Sequence, residues 1–582
     1  MTEINRRNFL KGALAAGAMT AAVGMMGCSP KSGGEEKAAA ASAVEDFVQT
    51  ADTATKKWSF EIAPDPITED KIAETIEADV VVVGCGTSGL MVANSAAEEG
   101  LGVVVVSASA APVARGGSNN AIYCKAMERA NVDRLSEFQI RKEIFYAGNQ
   151  VDERKWYKHF NNSEKAMNWV IDLMESAGYK VKVEIGTPSE DTDLYHETCS
   201  IGWDLGDGMQ ADPDMQLATG MMQPLLVKEL ARHLTEDLGG EIYFKTKGEQ
   251  LVRDSDGVGR VSAVVCSRED GSFAKYVGKK AVVLATGDFS ANRDMMYAYA
   301  PSYAPYISDD VYDGETNYDV GFQYGGLFKG DGQRMGLWVG AAWQKVFPNC
   351  VMGGFYGPGP RNLYSNFLGL LVNKNGERFM NEDCLSPCAG MNNFGQPGKT
   401  VFALWNEDYA RQETVSGSWN NDTMHEGDAD AVAKAVIESW EADVKSGATV
   451  KGDTIEDVIK QLGLPSDTAE TVKRYNELCA KGSDDDFHKG ADHMHSLEQG
   501  PFYGQSSGGM LVFLTVLGGL NTDANMRVLD ADDEPLPGLY NVGTMVGDMF
   551  ATNYTFMTEG ANYGANCITF GYLTGKYIAE NE

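Results

Sequence analysis

"EADVVVVGCGTSGLMVANSAAEEGLGVVVVSAS", residues 77–109, is the stretch that decides the fold. A short apolar strand precedes Gly84, Gly86 and Gly89 in the pattern G-x-G-x-x-G, and an alanine-rich amphipathic segment and a second strand over 103–106 follow them. The glycines allow a tight turn, a close approach of pyrophosphate to the backbone and close packing of helix on strand, while the helix N-terminus faces the phosphates. The stretch therefore predicts a βαβ unit that binds a dinucleotide.

The second strand of this unit ends differently from the usual pattern. An acidic residue commonly stands there to bind the ribose hydroxyls, but this chain has Ser107. A serine hydroxyl still hydrogen-bonds to ribose, although this neutral group makes a weaker contact than a carboxylate does. FAD and NAD share the glycine pattern, so the choice between them depends on the rest of the chain.

Four further segments follow the unit along the chain. They are "RGGSNN" (115–120), "KKAVVLATGDFSANRDMM" (279–296), "KGDGQRMGLWVGAA" (329–342) and "LPGLYNVGTMVGD" (536–548). With the first motif, and in this order, they resemble the flavoprotein superfamily of FAD-containing fumarate reductases and succinate dehydrogenases, which includes urocanate reductases and ketosteroid dehydrogenases. The resemblance runs from about Ala78 to the C-terminus and implies FAD as the cofactor.

The fold class and the domain organisation follow from this resemblance. It implies an α/β fold, α+β overall, in which a Rossmann-like FAD-binding domain carries an inserted capping domain. The expected segments are a signal (1–28), a tether (29–74), the FAD-binding domain (75–345 and 506–582) and the substrate-capping domain (346–505). The resemblance implies these cofactor-binding residues: Gly84, Gly86, Ser88, Gly89, Ser107, Gly117, Ser118, Asn119, Gly248, Thr286, Gly287, Asp331, Thr544, Asn562 and Tyr563.

The segment "LLVNKNGERFMNED", residues 370–383, resembles the one that opens the capping domain's share of the fumarate reductase active site. An arginine about thirty residues later donates a proton in that family, and Arg411 stands at the matching place. The resemblance implies hydride transfer from N5 of reduced FAD to one carbon of an activated C=C bond, while Arg411 protonates the other carbon. Glu382, Glu407 or Asp408 would return the proton to Arg411. The competing interpretation is a surface arginine that pairs with Glu407.

Three other side chains of the fumarate site are replaced in this chain. Its two histidines fall near Met352 and at Leu514 or Thr515, and the arginine that clamps the second carboxylate falls near Thr558. Neutral side chains do not make the charge-assisted hydrogen bonds that hold a dicarboxylate. We therefore do not expect fumarate to be the substrate.

Apolar and aromatic side chains stand around these positions. Such a lining suits a flat or bulky acceptor, for example an aryl-acrylic acid or a steroid-like enone, better than a small dianion. Tyr554 and Tyr563 are candidates to donate a hydrogen bond to the acceptor carbonyl, as tyrosines do in ketosteroid dehydrogenases. The candidates for the pocket are Phe513, Leu514, Phe550, Tyr554, Phe556, Met557 and Tyr563.

Composition limits the classes of partner. Asp and Glu outnumber Lys and Arg by 83 to 49, and the formal net charge is -34. A nucleic-acid-binding protein needs a basic surface, so the sequence predicts no nucleic-acid partner. The acidic surface serves solubility first, and docking to a basic cytochrome is a second interpretation. The ten cysteines include no C-x-x-C-H haem motif and no four-cysteine metal spacing.

The N-terminal segment "INRRNFLKGALAAGAMTAAVGMMGC" has the build of a cleavable export signal with twin arginines, Arg6 and Arg7. The twin-arginine route carries folded cargo, which agrees with a cofactor inserted in the cytoplasm. The signal ends where Cys28 would be lipidated, so we expect anchoring at the outer face of the cytoplasmic membrane rather than simple secretion into the periplasm or to the cell surface. The following Ala-, Ser-, Gly-, Lys- and Glu-rich segment, from Ser29 to about Thr55, suits a solvated tether.

Two local patterns point to other groups. "DVKSGATV", residues 443–450, resembles a site of covalent FMN attachment and would make Thr449 the flavinylated residue, but the surrounding segment matches ordinary capping-domain sequence, so we do not expect FMN there. His488, His493 and His495 cluster among charged residues, which favours a solvated loop over a metal site.

These observations support one leading hypothesis and two rivals. The leading one is an exported FAD-dependent reductase of an α,β-unsaturated acceptor, which receives its electrons in anaerobic respiration from a separate cytochrome or quinol-linked protein. The first rival is an FAD-dependent dehydrogenase of a steroid-like ketone. The second is a surface flavin electron carrier without substrate chemistry.

Overall fold

The βαβ unit predicted from residues 77–109 forms as expected. Its first strand is longer than predicted and spans Ile72–Val83, the helix spans Thr87–Glu98, and the second strand spans Val103–Val106. The two strands are parallel, with Val80 opposite Val103 and Val83 opposite Val106. Parallel strands in the middle of a sheet are covered on both faces, which explains the uninterrupted valines.

A computed structural model describes the chain in fourteen stretches. They are residues 57–114, 116–185, 199–210, 222–255, 257–320, 326–346, 349–354, 369–382, 392–411, 429–507, 511–552, 554, 558 and 560–582. The strands are β1 (Ile72–Val83), β2 (Val103–Val106), β3 (Asn119–Asn120), β4 (Lys180–Ile185), β5 (Cys199–Asp204), β6 (Glu241–Tyr243), β7 (Thr246–Ser255), β8 (Val258–Arg268), β9 (Phe273–Leu284), β10 (Cys350–Gly354), β11 (Leu370–Asn373), β12 (Val401–Asn406), β13 (Val450–Gly452), β14 (Phe502–Ser506), β15 (Val512–Leu517), β16 (Arg527–Leu529) and β17 (Pro535–Asn541).

The helices of the described stretches are distributed along the whole described chain. The α-helices are α1 (Thr87–Glu98), α2 (Lys125–Arg129), α3 (Glu137–Tyr146), α4 (Glu153–Ser176), α5 (Gln223–Arg232), α6 (Arg293–Tyr299), α7 (Asp309–Asp313), α8 (Asp331–Trp338), α9 (Ala429–Ser446), α10 (Ile455–Gln461), α11 (Thr468–Lys481) and α12 (Phe570–Asn581), and π-helices span His233–Asp237 and Asn562–Thr569. Within these stretches, no helix has the length and apolarity that a membrane span requires.

The main sheet brings distant parts of the chain together. Its strands lie in the order β16-β17-β9-β1-β2-β6, and β7 and β8 continue from β9. Strand β17 runs parallel to β9, with Leu539 opposite Val282. The C-terminal part of the chain therefore completes the sheet begun by the βαβ unit, as the predicted Rossmann-like fold with an insertion requires.

A separate four-stranded sheet, β11-β12-β14-β13, lies in the inserted part. Its side chains alternate between two apolar clusters: Leu371 and Trp405 face the cluster that includes Trp440 of α9, whereas Leu370 and Leu404 face the cluster built with α10 and α11. This sheet has a core of its own on both faces. Its elements lie in the predicted capping domain, except that β14 ends one residue beyond 505. The boundaries 346 and 505 themselves stay predictions.

The tether predicted over 29–74 is wrong for residues 58–74. Phe60 is buried and packs against the ring of Tyr299 at 5.5 Å, and its carbonyl accepts a hydrogen bond from Trp338 Nε1. Gln250 binds the backbone of both Asp65 and Ile67. Apolar and backbone contacts outweigh the polar composition here, so the segment packs on the domain. Residues 29–56 lie outside the described residues.

Candidate active site

A large cleft opens at the carboxyl ends of β1, β2 and β9, where an open α/β sheet binds its ligands. It encloses about 1690 Å³ of space, part of it open to solvent. All the predicted cofactor-binding residues line it except Gly89 and Asn119. Residues far apart in sequence meet there, among them Gly84, Gly287 and Asn562.

The glycines of the first motif make the cleft narrow at the turn between β1 and α1. Gly84 has φ +118°, and a Cβ at this position would lie 2.2 Å from the carbonyl oxygen of Ala285. A Cβ on Gly89 would lie 2.1 Å from the carbonyl oxygen of Gly84. Gly89 thus serves helix-to-strand packing and does not face the cleft. Gly86 is the N-cap of α1 and has no side chain to accept hydrogen bonds from the first turn. The backbone N–H groups of that turn are therefore available to bind an anion such as a phosphate.

The ribose end of the cleft is built from hydroxyls. The Oγ atoms of Ser107 and Ser109 are 2.7 Å apart, and Ser109 donates its hydrogen to the carbonyl of Ala111. Ser107 must then donate to Ser109. Its Oγ also accepts the backbone N–H of Ser109 at 3.4 Å, so one lone pair remains to accept a hydrogen bond from a ribose hydroxyl. The Asp319 carboxylate accepts the backbone N–H of Ala110 at 2.6 Å. Asp319 thus supplies a carboxylate next to the loop that follows Ser107. This family of folds commonly has such a carboxylate at position 107 itself.

Asn119 has a structural position. Its side chain is fully buried, donates to the carbonyl of Ile201 at 2.9 Å and exchanges two hydrogen bonds with Gln223. These contacts join β3, β5 and α5 behind the cleft. Asn119 therefore shapes the wall of the site and does not line it.

Two cysteines line the cleft, Cys85 and Cys567. Burial raises the pKa of both thiols to about 12. Both side chains are therefore thiols at neutral pH, which makes them poor nucleophiles. Five cysteines of the described residues are free of disulfide bonds: Cys85, Cys124, Cys266, Cys479 and Cys567.

The residues at which the sequence predicts replacement of the two fumarate-site histidines line the cleft. Met352 on β10 lies opposite Thr515 on β15, and both line the cleft together with Leu514. Thr515 donates its hydroxyl hydrogen to the buried carboxylate of Asp288 at 2.7 Å. The ring of Tyr563 also lines the cleft. The side chain of Phe513 and residues Phe556 and Met557 lie outside what the structure describes.

Phe550 and Tyr554 line a second, smaller pocket instead of the main cleft. Phe550 packs edge-on against Trp156 and Tyr554, with ring centroids 5.7 and 5.0 Å away. The Tyr554 hydroxyl accepts the backbone N–H of Asn562, which itself lines the main cleft. Tyr554 thus contacts the main cleft only indirectly, through its hydrogen bond with Asn562.

This second pocket contains a carboxylate that sequence reasoning missed. Glu143 is buried and accepts the backbone N–H of Thr558 at 2.6 Å. Thr558 is the position near which the clamp arginine of a fumarate reductase falls. This chain therefore has a carboxylate close to the place where that family has a guanidinium. Its only sequence signal was an acidic residue on the apolar face of α3.

Arg411 lies at the end of a 3-10 turn, Glu407–Arg411, directly after β12. Its side chain is 51% exposed, and among the described residues it pairs with Asp408 at 3.5 Å rather than with Glu407. Arg411 is not among the described residues that line the cleft. Its role in proton transfer stays a prediction.

Glu382 lies in a buried ionic cluster of the capping sheet. Arg378 donates two hydrogen bonds to Glu382 and one to Asp484, and Lys489 lies 3.5 Å from Glu382. Lys489 also donates to the hydroxyl of Tyr475 at 3.1 Å. Two cations and two anions balance one another in this cluster. No hydrogen bond in the described part of the chain joins Glu382 to Arg411.

The cluster should make the stability of the protein sensitive to acid. Burial by itself raises the pKa of Asp484, but hydrogen bonds from Arg378 and from the backbone of Lys489 and Phe487 outweigh it and lower the pKa to about 2. An unfolded aspartate titrates near 3.9, so this group contributes about 2 kcal/mol above that pH. That contribution is lost as pH falls through the folded value.

We expect urea unfolding of the wild type to show this loss between about pH 4 and pH 2. In Asp484→Asn the same loss should be absent, and the variant should be less stable at neutral pH. Asp486→Asn is the matched control, because Asp486 lies two residues away and pairs with Arg474 at the surface. An acid limb that is unchanged in Asp484→Asn would contradict the assignment.

The structure also describes the predicted FMN-like segment around Thr449 and the histidine cluster. Thr449 is only 4% exposed, so its hydroxyl is not accessible to a flavin in this conformation. His488 is exposed and His495 is partly buried. Among the described residues, no group of three or more His, Cys, Asp or Glu side chains has the arrangement of a metal site.

Comparison with known proteins agrees with this geometry. The family model described as "FAD binding domain" matches residues 79–556. The model of the TAT (twin-arginine translocation) pathway signal sequence matches residues 3–23, which supports export across the cytoplasmic membrane. Vinyl phenol reductase of Lactiplantibacillus plantarum is 24% identical over 521 residues, which cover 86% of this chain and 94% of that protein.

Two solved structures show the same fold. A 3-ketosteroid Δ4-(5α)-dehydrogenase from Rhodococcus jostii RHA1, solved with 4-androstene-3,17-dione, has a TM-score of 0.64 at 22% identity and covers 88% of this chain and 99% of its own. The open conformation of a flavocytochrome c3 fumarate reductase has a TM-score of 0.57 at 21% identity and covers 90% and 82%. By the match over most of its length and by the cleft, this chain belongs to the FAD binding domain family and is an FAD-dependent oxidoreductase.

Proposed function

We propose that the protein reduces the C=C bond of an aromatic or bulky α,β-unsaturated acceptor on the outer side of the cytoplasmic membrane. When bound, reduced FAD supplies a hydride to one alkene carbon. Arg411 supplies the proton to the other, and Glu382, Glu407 or Asp408 belongs to the route that returns it. A separate cytochrome or quinol-linked protein supplies the two electrons of each turnover, and a lipid at Cys28 holds the enzyme at the membrane.

The lining of the substrate side carries this proposal. The two histidines of a fumarate reductase fall near Met352 and at Leu514 or Thr515, so the cleft has apolar surface from Met352 and Leu514 and a neutral hydroxyl from Thr515 at these positions. Lys247 is the one cation among the described lining residues, and it pairs with Glu249 at 2.9 Å. A dicarboxylate would leave its charge without a partner there, whereas a neutral aromatic end would bury apolar area.

The likeness to vinyl phenol reductase adds support for an aromatic alkene. A vinyl phenol carries no carboxylate, which agrees with a site that lacks a cationic clamp on its described surface. The size of the acceptor depends on how closely the capping domain approaches the flavin.

The test is anaerobic. The mature enzyme with FAD is reduced by a viologen dye, and dye oxidation is followed after addition of 4-vinylphenol, cinnamate-type acids, catechol-bearing acrylates, urocanate, steroid enones or fumarate. We expect rapid oxidation with at least one aromatic or bulky acceptor and none with fumarate. Saturated analogues and free FAD are the controls.

Each other outcome excludes the proposal in a defined way. Fast turnover of fumarate would contradict the inferred loss of the dicarboxylate site. Silence with all acceptors, together with reduction of an artificial acceptor by a saturated steroid ketone, would identify the dehydrogenase. Silence in both directions with a reducible flavin would identify the electron carrier.

A further inference from the structure

Asp288 is a buried carboxylate in the cofactor cleft that neither the sequence motifs nor the proposed reaction uses. It follows the A-T-G segment after β9, is 1% exposed and lines the cleft. Its Oδ2 accepts the hydroxyl hydrogens of Ser290 and Thr515, each at 2.7 Å, and the backbone N–H of Val516 at 3.2 Å. Its Oδ1 accepts the backbone N–H groups of Phe328 at 3.3 Å and Ser290 at 3.4 Å.

These contacts surround the Asp288 carboxylate with neutral hydrogen-bond donors. Donors to a carboxylate stabilise its ionised form. None of the ion pairs formed by the described residues includes Asp288, so neutral donors stabilise the charge without cancelling it. A buried charge acts on its neighbours through a medium that screens weakly.

The position of Asp288 in the sheet places this charge at the flavin half of the cofactor. Ser107 ends β2 on one side of β1, and Asp288 follows β9 on the other. A dinucleotide crosses the end of β1 with its ribose towards β2, so its other half extends past β9. Asp288 also accepts a hydrogen bond from Thr515, which follows Leu514 and lies opposite Met352. These three residues are the ones predicted on the substrate side, and all line the cleft.

We propose that Asp288 lowers the reduction potential of the bound flavin. Two-electron reduction of FAD with uptake of one proton gives a reduced flavin that carries one negative charge on its ring, and a fixed carboxylate opposes that charge. A lower potential makes the reduced cofactor a stronger hydride donor. The inference rests on bound FAD and goes beyond the proposed function, because it does not depend on which alkene is reduced.

The test is the equilibrium between the flavin and a reference dye of known potential during anaerobic reduction of the purified holoenzyme. We expect Asp288→Asn to raise the equilibrium constant for flavin reduction about tenfold, which corresponds to about 30 mV for a two-electron couple. Asp486→Asn is the control, since it removes a surface carboxylate that pairs with Arg474 and does not line the cleft; its equilibrium constant should change less than twofold. An unchanged constant in Asp288→Asn with full flavin content would overturn the proposal.

A second variant keeps the proposal testable if Asp288→Asn gives no soluble flavoprotein. The double variant Ser290→Ala/Thr515→Val withdraws two hydroxyl donors and leaves the carboxylate less compensated. We expect its equilibrium constant to fall at least threefold, and a constant equal to that of the wild type would reject the proposal. Because the readout is a potential, absence of alkene turnover would reject the proposed function without affecting this test.

Discussion

Replacement of Arg411 by alanine is expected to slow alkene-dependent oxidation of the reduced enzyme about 10²- to 10⁴-fold, the range that a positioned proton donor contributes. Reduction of the flavin by the dye should stay within twofold of wild type, because that half-reaction does not protonate an alkene. The two half-reactions are measured separately by anaerobic stopped-flow absorbance of the flavin.

The permanent positive charge of Arg411 limits the substrates that it can protonate. A guanidinium has a pKa above about 12 and is normally treated as permanently protonated, so it serves as an acid only towards a strongly basic carbanion. Its 3.5 Å contact with Asp408 does not hold it in place firmly, since an exposed ion pair contributes about 0 to 1 kcal/mol. Loss of this contact therefore costs little free energy.

Arg474→Ala is the matched control for Arg411→Ala. Arg474 also lies in the capping part of the chain, its side chain is 50% exposed, and it pairs with Asp486. Loss of alkene turnover in both variants would indicate a general effect of surface charge, and full turnover in Arg411→Ala with bound FAD would remove Arg411 from the mechanism.

Substitution of Gly84 by alanine is expected to abolish stoichiometric FAD binding and to destabilise the domain by about 3 kcal/mol or more. The added Cβ would lie 2.2 Å from the backbone oxygen of Ala285, at a φ of +118° that side chains with a Cβ rarely adopt. Relief of this overlap requires β1 and β9 to separate at the point where the pyrophosphate binds. Flavin absorbance per mole of protein and the thermal unfolding midpoint measure the two effects.

Two other glycines separate strain from cofactor loss. Gly100 has φ +87°, and a Cβ there would have no heavy atom within 4 Å. Gly100→Ala should therefore show backbone strain alone, of about 1 kcal/mol, with full flavin. A Cβ on Gly86 would meet only the carbonyl oxygen of Val113 at 3.5 Å, so Gly86→Ala should fold and lose flavin through its contact with the phosphates. Full flavin in Gly84→Ala would contradict the assigned turn.

The cofactor side of the cleft could be predicted from the sequence because its signals are local. The glycine turn, the A-T-G segment and the Gly-Asp-Gly turn each specify a backbone shape within a few residues, and nearly all the cofactor-binding residues that the family resemblance implies line the cleft. Gly89 and Asn119 differ because packing behind the site, rather than contact with the ligand, determines their positions.

The substrate side depended on contacts between distant segments. Glu143 reaches Thr558 across more than four hundred residues of chain, and Phe550 and Tyr554 turn into a second pocket with Trp156. Residues 58–74 look polar enough for a tether, yet Phe60 finds a buried place. None of these outcomes has a periodic or turn signal, because each depends on which surfaces the completed sheets bring together.

The sequence alone thus determined the βαβ unit, since short-range geometry and hydrophobic pattern are sufficient for it, and the resemblance of the ordered motifs to a flavoprotein family implied the flavin cofactor and the class of chemistry. Only the tertiary structure decided that the Asp288 carboxylate is buried in the cleft among neutral hydrogen-bond donors, that Glu382 is enclosed in an ionic cluster and that Arg411 lies at the surface. Burial and the sign of the neighbouring charges are properties of the folded interior, and they arise from residues hundreds of positions apart.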